Sequence, residues 1–281
     1  MKKKTITKVL SQVHTSWVNS IKDDEVKNLV AINSIITGGC IASMLLGEKV
    51  NDYDIYFRNK ETVEAVANYY MGIVEKQTKA PYEIQVTENR VYIKIKSSGI
   101  IKLTSKDKKY APIFITGNAI TLTNKIQLVL RFFGEIDDIH KNYDFDHCKS
   151  AWSSWNNKLS IPPQSAEALL AKELKYSGSL YPLSSIIRTR KFISRGWTIN
   201  AGEYLKMAIQ LNQLNLLDVN VLEDQLIGVD TTYFQMFIDD VRKKIAEDPS
   251  FELSASYVLS VIDQIFDQDI SEEQEEDDQE D

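Results

Sequence analysis

Residues 34–57 read SIITGGCIASMLLGEKVNDYDIYF. Few chain paths fit that string. A short run rich in β-branched residues (34–37) ends on two glycines. An apolar stretch of helical length (40–46) then stops at Gly47, and a second strand-like run (54–57) follows directly after Asp52. Two adjacent glycines at a strand-to-helix turn let backbone N–H groups come close to a ligand. The helix after them aims partial positive charge at the same place, a geometry that suits a phosphate. Asp52 and Asp54, at i and i+2, face one side of a strand roughly 6–7 Å apart. Carboxylates so placed repel one another unless a cation lies between them. Oxygen ligands of this kind favour Mg²⁺, which also takes oxygens from a substrate phosphate. The short helix brings turn and acids together, giving a candidate site for metal-assisted phosphoryl or nucleotidyl transfer.

The rest of the chain predicts an α+β sheet domain followed by a helical one. Residues 1–20 are polar with scattered apolar positions. Residues 24–32 read as a helix with acids in its first turn, and 60–76 as a helix of period near 3.6. Strands are expected at 82–86, 91–96, 100–104, 113–121 and 126–132, with turns at Asn89 and at 97–99, and Gly134 ends the pattern. Beyond Pro162-Pro163 the segments 165–176, 184–195, 201–216, 233–247 and 252–266 read as helices, the fourth with Asp230-Thr231 as its N-cap region. These features place a head at 1–158, a helical neck and body at 159–266, and an acidic tail at 267–281.

That tail governs the charge. The formal net charge is −7, but residues 267–281 hold ten acids and no base, leaving 33 bases against 30 acids and a body of +3. A like-charge block of this sort is expected to be disordered and to aid solubility, while the mildly basic body keeps a polyanionic partner open. Hydrophobic residues at 43% supply enough apolar material for a core. No apolar run reaches about 18 residues, so no membrane-spanning helix is expected, and the opening MKKKTITKVL has no apolar core of a secretory signal. The two cysteines, Cys40 and Cys148, make no disulfide framework, and His14, His140 and His147 show no zinc spacing. A reducing cytoplasm is the expected compartment, that of a host cell if the gene is viral.

The residues from Gly38-Gly39 to Leu45-Leu46-Gly47, followed by Asp52-Tyr53-Asp54, resemble the head motif of the DNA polymerase β-like nucleotidyltransferase superfamily. The likeness is closest to class II CCA-adding enzymes and poly(A) polymerases, whose pattern is GGxVRDxLLG followed by DxD. Two further segments fall in the same order. Tyr143-Asp144-Phe145-Asp146 resembles the family's RRDFTxNA, and the run from Pro182-Leu183 through Arg188, Arg190, Lys191 and Phe192 to Gly196-Trp197 resembles its PLRxLRxxRF…GF.I helix. A looser likeness exists to nucleotidyltransferase-like proteins of phages and large DNA viruses. The resemblance covers about residues 34–200 and implies a mixed-sheet nucleotidyltransferase head with a helical neck. It implies Asp52 and Asp54 as Mg²⁺ ligands, Gly38, Gly39 and Ser43 beside the phosphates of a nucleoside triphosphate, and Asp144 as a further catalytic or substrate-contacting acid. An RNA 3′ end is the implied acceptor. Arg188, Lys191 and Arg195 share a helical face suited to a triphosphate or an RNA backbone, while Ile187, Phe192 and Ile193 are expected in the core.

The chain departs from the family at several points. Ala42-Ser43 stands for the Arg-Asp of the first motif, Asn142-Tyr143 replaces two arginines of the second, and no EDxxR base-reading motif is found. Many superfamily members carry a third carboxylate on a neighbouring strand. Here the strand 125–129 offers Gln127, an amide that cannot take up a proton; Asp144 and Asp146 are the alternatives. Trp152 and Trp155 suit hairpin or core packing more than stacking on a base. Three readings stay open at this stage: transfer to RNA, transfer to a protein or small-molecule hydroxyl, and an idle fold kept for binding.

Overall fold

A computed structural model describes residues 1–78, 81–88, 90–95, 100–103, 109–226, 232–248 and 250–269. The turn residues Asn89 and 97–99, the cap residues Asp230 and Thr231, and 270–281 of the acidic tail lie outside the described residues. The chain divides into two compact units, Met1–Ser177 and Gly178–Asp281.

The first unit is the α+β head. In chain order it contains α1 (Lys3–Val18), α2 (Asp24–Asn33), β1 (Ser34–Thr37), α3 (Gly39–Leu46), β2 (Tyr53–Phe57) and α4 (Lys60–Thr78). These are followed by β3 (Tyr82–Val86), β4 (Val91–Ile95), β5 (Ile100–Lys102), β6 (Pro112–Thr116), β7 (Ala119–Leu122) and β8 (Ile126–Phe133). After α5 (Ile136–His140) and a 3-10 turn at Asp146–Cys148 come β9 (Ala151–Ser153), β10 (Lys158–Ser160) and α6 (Pro163–Ala171). Eight strands make one mixed sheet in the order β10-β9-β1-β2-β8-β7-β6-β5, and β3 and β4 form a separate hairpin. The β2–β8 pair is parallel and the other pairs are antiparallel.

Two adjacent rows of register partners cross that sheet. One contains Leu159, Trp152, Ile36, Ile55, Leu128, Ile120, Ile115 and Ile101, one residue from each strand, all of them buried. Register partners point to the same face, so this row makes a continuous apolar floor. It is part of the core that also holds Ile6, Leu10 and Trp17 of α1, Val26 and Val30 of α2, and Val63, Val66, Tyr70 and Val74 of α4. One residue along each strand, the second row faces the other way. It contains Ser160, Ala151, Thr37, Asp54, Gln127, Thr121, Phe114 and Lys102. The alternation of apolar and polar residues in these short strands therefore assigns one face to the core and the other to the site.

Several boundaries differ from the sequence expectation for identifiable reasons. Residues 1–20, read only as polar with scattered apolar positions, contain α1, because Ile6, Leu10, His14 and Trp17 recur at helical spacing and are buried. The Trp17 indole donates to Tyr70 Oη at 2.8 Å, pinning α1 to α4. The stretch 113–121 is two strands, since the chain turns at Gly117-Asn118. There Gly117 lies so close beneath Tyr92 that a Cβ would overlap the ring. Helix α6 stops at Ala171, where Lys172 adopts φ +47. It packs on α3 and on the 3-10 turn, and Ser165 Oγ donates to Asp146 O at 2.5 Å. It thus belongs with the head, and the division falls after Ser177 rather than after residue 158. The hairpin β9–β10 was not expected as strands. Trp152 lies within it, its indole donating to Asn157 Oδ1 at 2.9 Å, in keeping with hairpin packing.

His14 is buried between Trp17 and Trp152, with its Nε2 3.2 Å from Val30 O. Burial lowers its pKa from 6.5 to about 4, partly opposed by that carbonyl. The unfolded chain takes up this proton near pH 6.5 and the folded chain only near 4. Between those values the unfolded state binds more protons, so stability falls as pH drops through the window and is flat above it. We expect urea unfolding to show a loss on the order of 2–3 kcal/mol per such histidine at pH 4 relative to pH 7. His14→Phe should lose correspondingly less; an equal loss in that variant would remove His14 from the account.

The second unit is helical, as expected. It contains α7 (Pro182–Ser194), α8 (Ala201–Leu211), α9 (Val219–Gln225), α10 (Thr232–Glu247) and α11 (Ala255–Asp269). Helix α8 ends short of the expected residue 216, and α9 was not anticipated. The core gathers Leu222, Phe237, Ile238, Val241 and Val261, with Leu183 and Ile187 of α7 packed against it. Phe192 meets Trp197 edge-on at 6.0 Å. Ile193, expected inside, is 46% exposed, because it follows Phe192 directly and turns away from it on the helix.

Candidate functional site

Strand β1 delivers the chain to Gly38, which has φ +93 and ψ −153 and serves as N-cap of α3. A side chain at Gly38 would be strained by that backbone and by its neighbours. A Cβ there would lie 3.1 Å from Asp54 Oδ2 and 3.4 Å from Tyr143 Oη. The bare Cα is thus a cradle for the Asp54 carboxylate at the start of α3. The Gly38 N–H donates to Cys148 O at 3.2 Å, so this amide is committed to the fold. Gly39, the first residue of α3, has nothing within 4 Å of its Cβ position. It is Gly39, exposed at the first position of the helix, that faces open space. The two glycines expected to act alike therefore divide the work.

Asp54 lies in β2 between Thr37 of β1 and Gln127 of β8, its register partners on either side. Asp52 immediately precedes the strand and is exposed, while Asp54 is half-buried. Both acids reach one group: the buried Cys40 thiol is held well above its ordinary pKa, first by burial, then by the negative charge of Asp54 and of Asp52. The Asp54 carboxylate thus lies against the start of α3, and Asp52 is two residues before it in the chain. Among the described residues no group of three or more His, Cys, Asp or Glu side chains is arranged to hold a metal ion. A hard divalent cation fits what is present, two carboxylates beside a cradle, provided phosphate oxygens of a substrate complete its shell.

A buried hydrogen-bonded layer braces this arrangement, and sequence reasoning missed it. Thr37 Oγ1 donates its one proton to Ser150 O at 2.9 Å. The His140 Nε2 that lies 2.8 Å from the same oxygen must then be the donor of that contact, which fixes the imidazole tautomer. Burial is the main cause that lowers the His140 pKa to about 4, keeping the ring neutral at physiological pH. Tyr143, whose ring is 5.1 Å from His140 and 6.0 Å from Tyr56, hydrogen-bonds Tyr56 and Thr37. Its phenol pKa is pushed well up by burial, then by Tyr56 and Asp54. Tyr143, at a position where the resembling family has arginine, thus ties the loop between α5 and the 3-10 turn to β1 and β2. The one signal for it was its place directly before Asp144-Phe145.

The other expected residues fall as follows. Asp144 is buried, and its carbonyl accepts the Ser177 N–H at 2.9 Å; Phe145 beside it is fully buried and bridges to Tyr176. Asp146 pairs with Lys149 at 3.0 Å. Neither residue belongs to the strand row that holds Asp54. Ser43 is buried one turn into α3, as is Ala42. One face of the Trp155 ring is covered by the Arg58 guanidinium at 4.7 Å, which withdraws it from a base. Arg188, Lys191 and Arg195 belong to the second unit: Arg188 in α7 is half-buried, and Lys191 in α7 and Arg195 at its C-cap are exposed. No helix of the described residues is long and apolar enough to cross a membrane.

Residues 8–172 match the Gabija anti-defense 2 family. The chain belongs to that family. A curated member, Gabija anti-defense 2 of Bacillus phage SPbetaL7, is 24% identical over 250 residues, covering 88% of this chain and 53% of that protein. The present family member thus spans about half the length of the curated relative it matches. Among solved structures it is similar to the CCA-adding enzyme of Bacillus stearothermophilus in complex with CTP. That likeness has 13% identity and a TM-score of 0.38 and covers 73% of this chain and 47% of that one. It is also similar to the Thermotoga maritima CCA-adding enzyme complexed with tRNA, at 14% identity and a TM-score of 0.41, covering 87% and 58%.

Proposed function

We propose that this Gabija anti-defense 2 family protein is a Mg²⁺-dependent nucleotidyltransferase that acts against the Gabija system by transferring a nucleoside monophosphate from a nucleoside triphosphate to an acceptor hydroxyl. One observation carries the reading: the Asp54 carboxylate rests on the bare Cα of Gly38 at the N-terminus of α3, with Asp52 two residues before it. In this reading Asp52 and Asp54 hold the cation, which neutralises and orients the triphosphate. Gly39, at the exposed start of α3, faces the phosphates through the helix end. The acceptor hydroxyl approaches over the polar row of the sheet from the side of Gln127 and attacks the α-phosphorus; the new ester bond forms as the bond to pyrophosphate breaks, and the hydroxyl proton passes to water. An RNA 3′ end is the proposed acceptor, with Arg188 and Lys191 of α7 as contacts for an RNA backbone. Asp144 is assigned to substrate positioning.

The test is incubation of the full chain with each α-labelled triphosphate, Mg²⁺ and total RNA. Label in RNA that is lost with Asp52→Asn supports the proposal. Label in protein or a small product would keep transfer and overturn the RNA acceptor. No label in any fraction would overturn transfer. A second reading, a nucleotidyltransferase fold kept for binding, is favoured by one observation: the register partner of Asp54 on β8 is the amide Gln127.

A further inference from the structure

The row of register partners across the site face contains Ser160, Ala151, Thr37, Asp54, Gln127, Thr121, Phe114 and Lys102. Asp54 is its one carboxylate. The flanking side chains, Thr37 and Gln127, are neutral, and the other charged member, Lys102, is a cation. Two divalent ions about 3.5–4 Å apart repel each other strongly and are held only where anionic oxygens flank both of them. On the β8 side of Asp54 the nearest side chain in the row is an amide. Its carbonyl oxygen accepts a hydrogen bond and its NH₂ donates one, but it adds no negative charge.

Resting on the assignment of Asp52 and Asp54 as cation ligands, we propose that Gln127 makes this a single-cation site. The site takes one divalent ion together with the triphosphate, and the Gln127 amide orients the incoming hydroxyl where a second ion would otherwise sit. One cation shared between carboxylates and phosphate oxygens is the ligand set that Mg²⁺ favours.

The experiment counts cations rather than products. The full chain is dialysed to equilibrium against MnCl₂ and a saturating, non-hydrolysable α,β-methylene triphosphate, and the excess Mn²⁺ on the protein side is measured, so that free Mn²⁺ and Mn²⁺ on unbound triphosphate cancel. The expected result is about one Mn²⁺ per chain for the parent and for Gln127→Ala, and about two for Gln127→Glu. Two ions in the parent would overturn the inference while leaving the carboxylate assignment intact. One ion in a folded Gln127→Glu would remove Gln127 as the determinant. An ion count unchanged by Asp54→Asn, or no ion bound at all, would defeat the underlying assignment and this inference with it. Should Gln127→Glu fail to fold, judged by circular dichroism, the parent count decides alone.

Discussion

Asp54→Asn is expected to reduce nucleotide transfer by on the order of a thousandfold, because several kcal/mol of charge neutralisation by the cation disappear with one carboxylate. The substitution keeps the shape of the side chain and its place against Gly38. It also relieves repulsion from Asp52, whose field reaches the same Cys40 thiol. Unfolding free energy should therefore stay within about 1 kcal/mol of the parent. Label incorporation and a denaturant melt on the same preparation measure the two effects separately. Full activity with a normal melt would show that the acid contributes nothing to chemistry, and a collapsed melt would show that its main role lies in the fold.

The two neighbouring glycines should respond in opposite ways to the same mutation. Gly38→Ala forces a side chain into φ +93, ψ −153 and against the Asp54 carboxylate. We expect it to cost about 2–3 kcal/mol of stability and to weaken Mn²⁺ binding, because the carboxylate must move. Gly39→Ala meets open space at the first position of a helix. It should stabilise the chain by about 0.5–1 kcal/mol while weakening triphosphate binding, because the added methyl stands where phosphates would approach. Thermal melts with and without a triphosphate check both. Equal destabilisation by the two substitutions would contradict the division of roles.

Local signals were the legible part of this chain. The diglycine bend, the short helix closed by Gly47 and the Asp-x-Asp run are each written in adjacent residues and fold as local physics requires. The α+β order, the helical second unit and the strand that carries Gln127 were readable from periodicity. The stretch that proved to be α1 was not, because its buried positions are interrupted by lysines and threonines and become an apolar face only against α4 and the sheet. The brace of Thr37, His140, Tyr143 and Ser150 was hidden for a related reason. Thr37 lies more than 100 residues from His140 and Ser150 in sequence, and each member on its own is an ordinary polar residue. The division after Ser177 followed from α6 docking on α3, a tertiary contact that two prolines in sequence do not reveal.

The two rows that cross the sheet have a consequence for the history of such proteins. The residues that bind the strands together and those that decide the chemistry alternate along the same backbone, so either set can change while the other is preserved. A lineage can exchange Gln127 for an acid, or Asp54 for an amide, without disturbing the apolar floor beneath. The number of cations held, or catalysis itself, can then change by a single substitution on the site face.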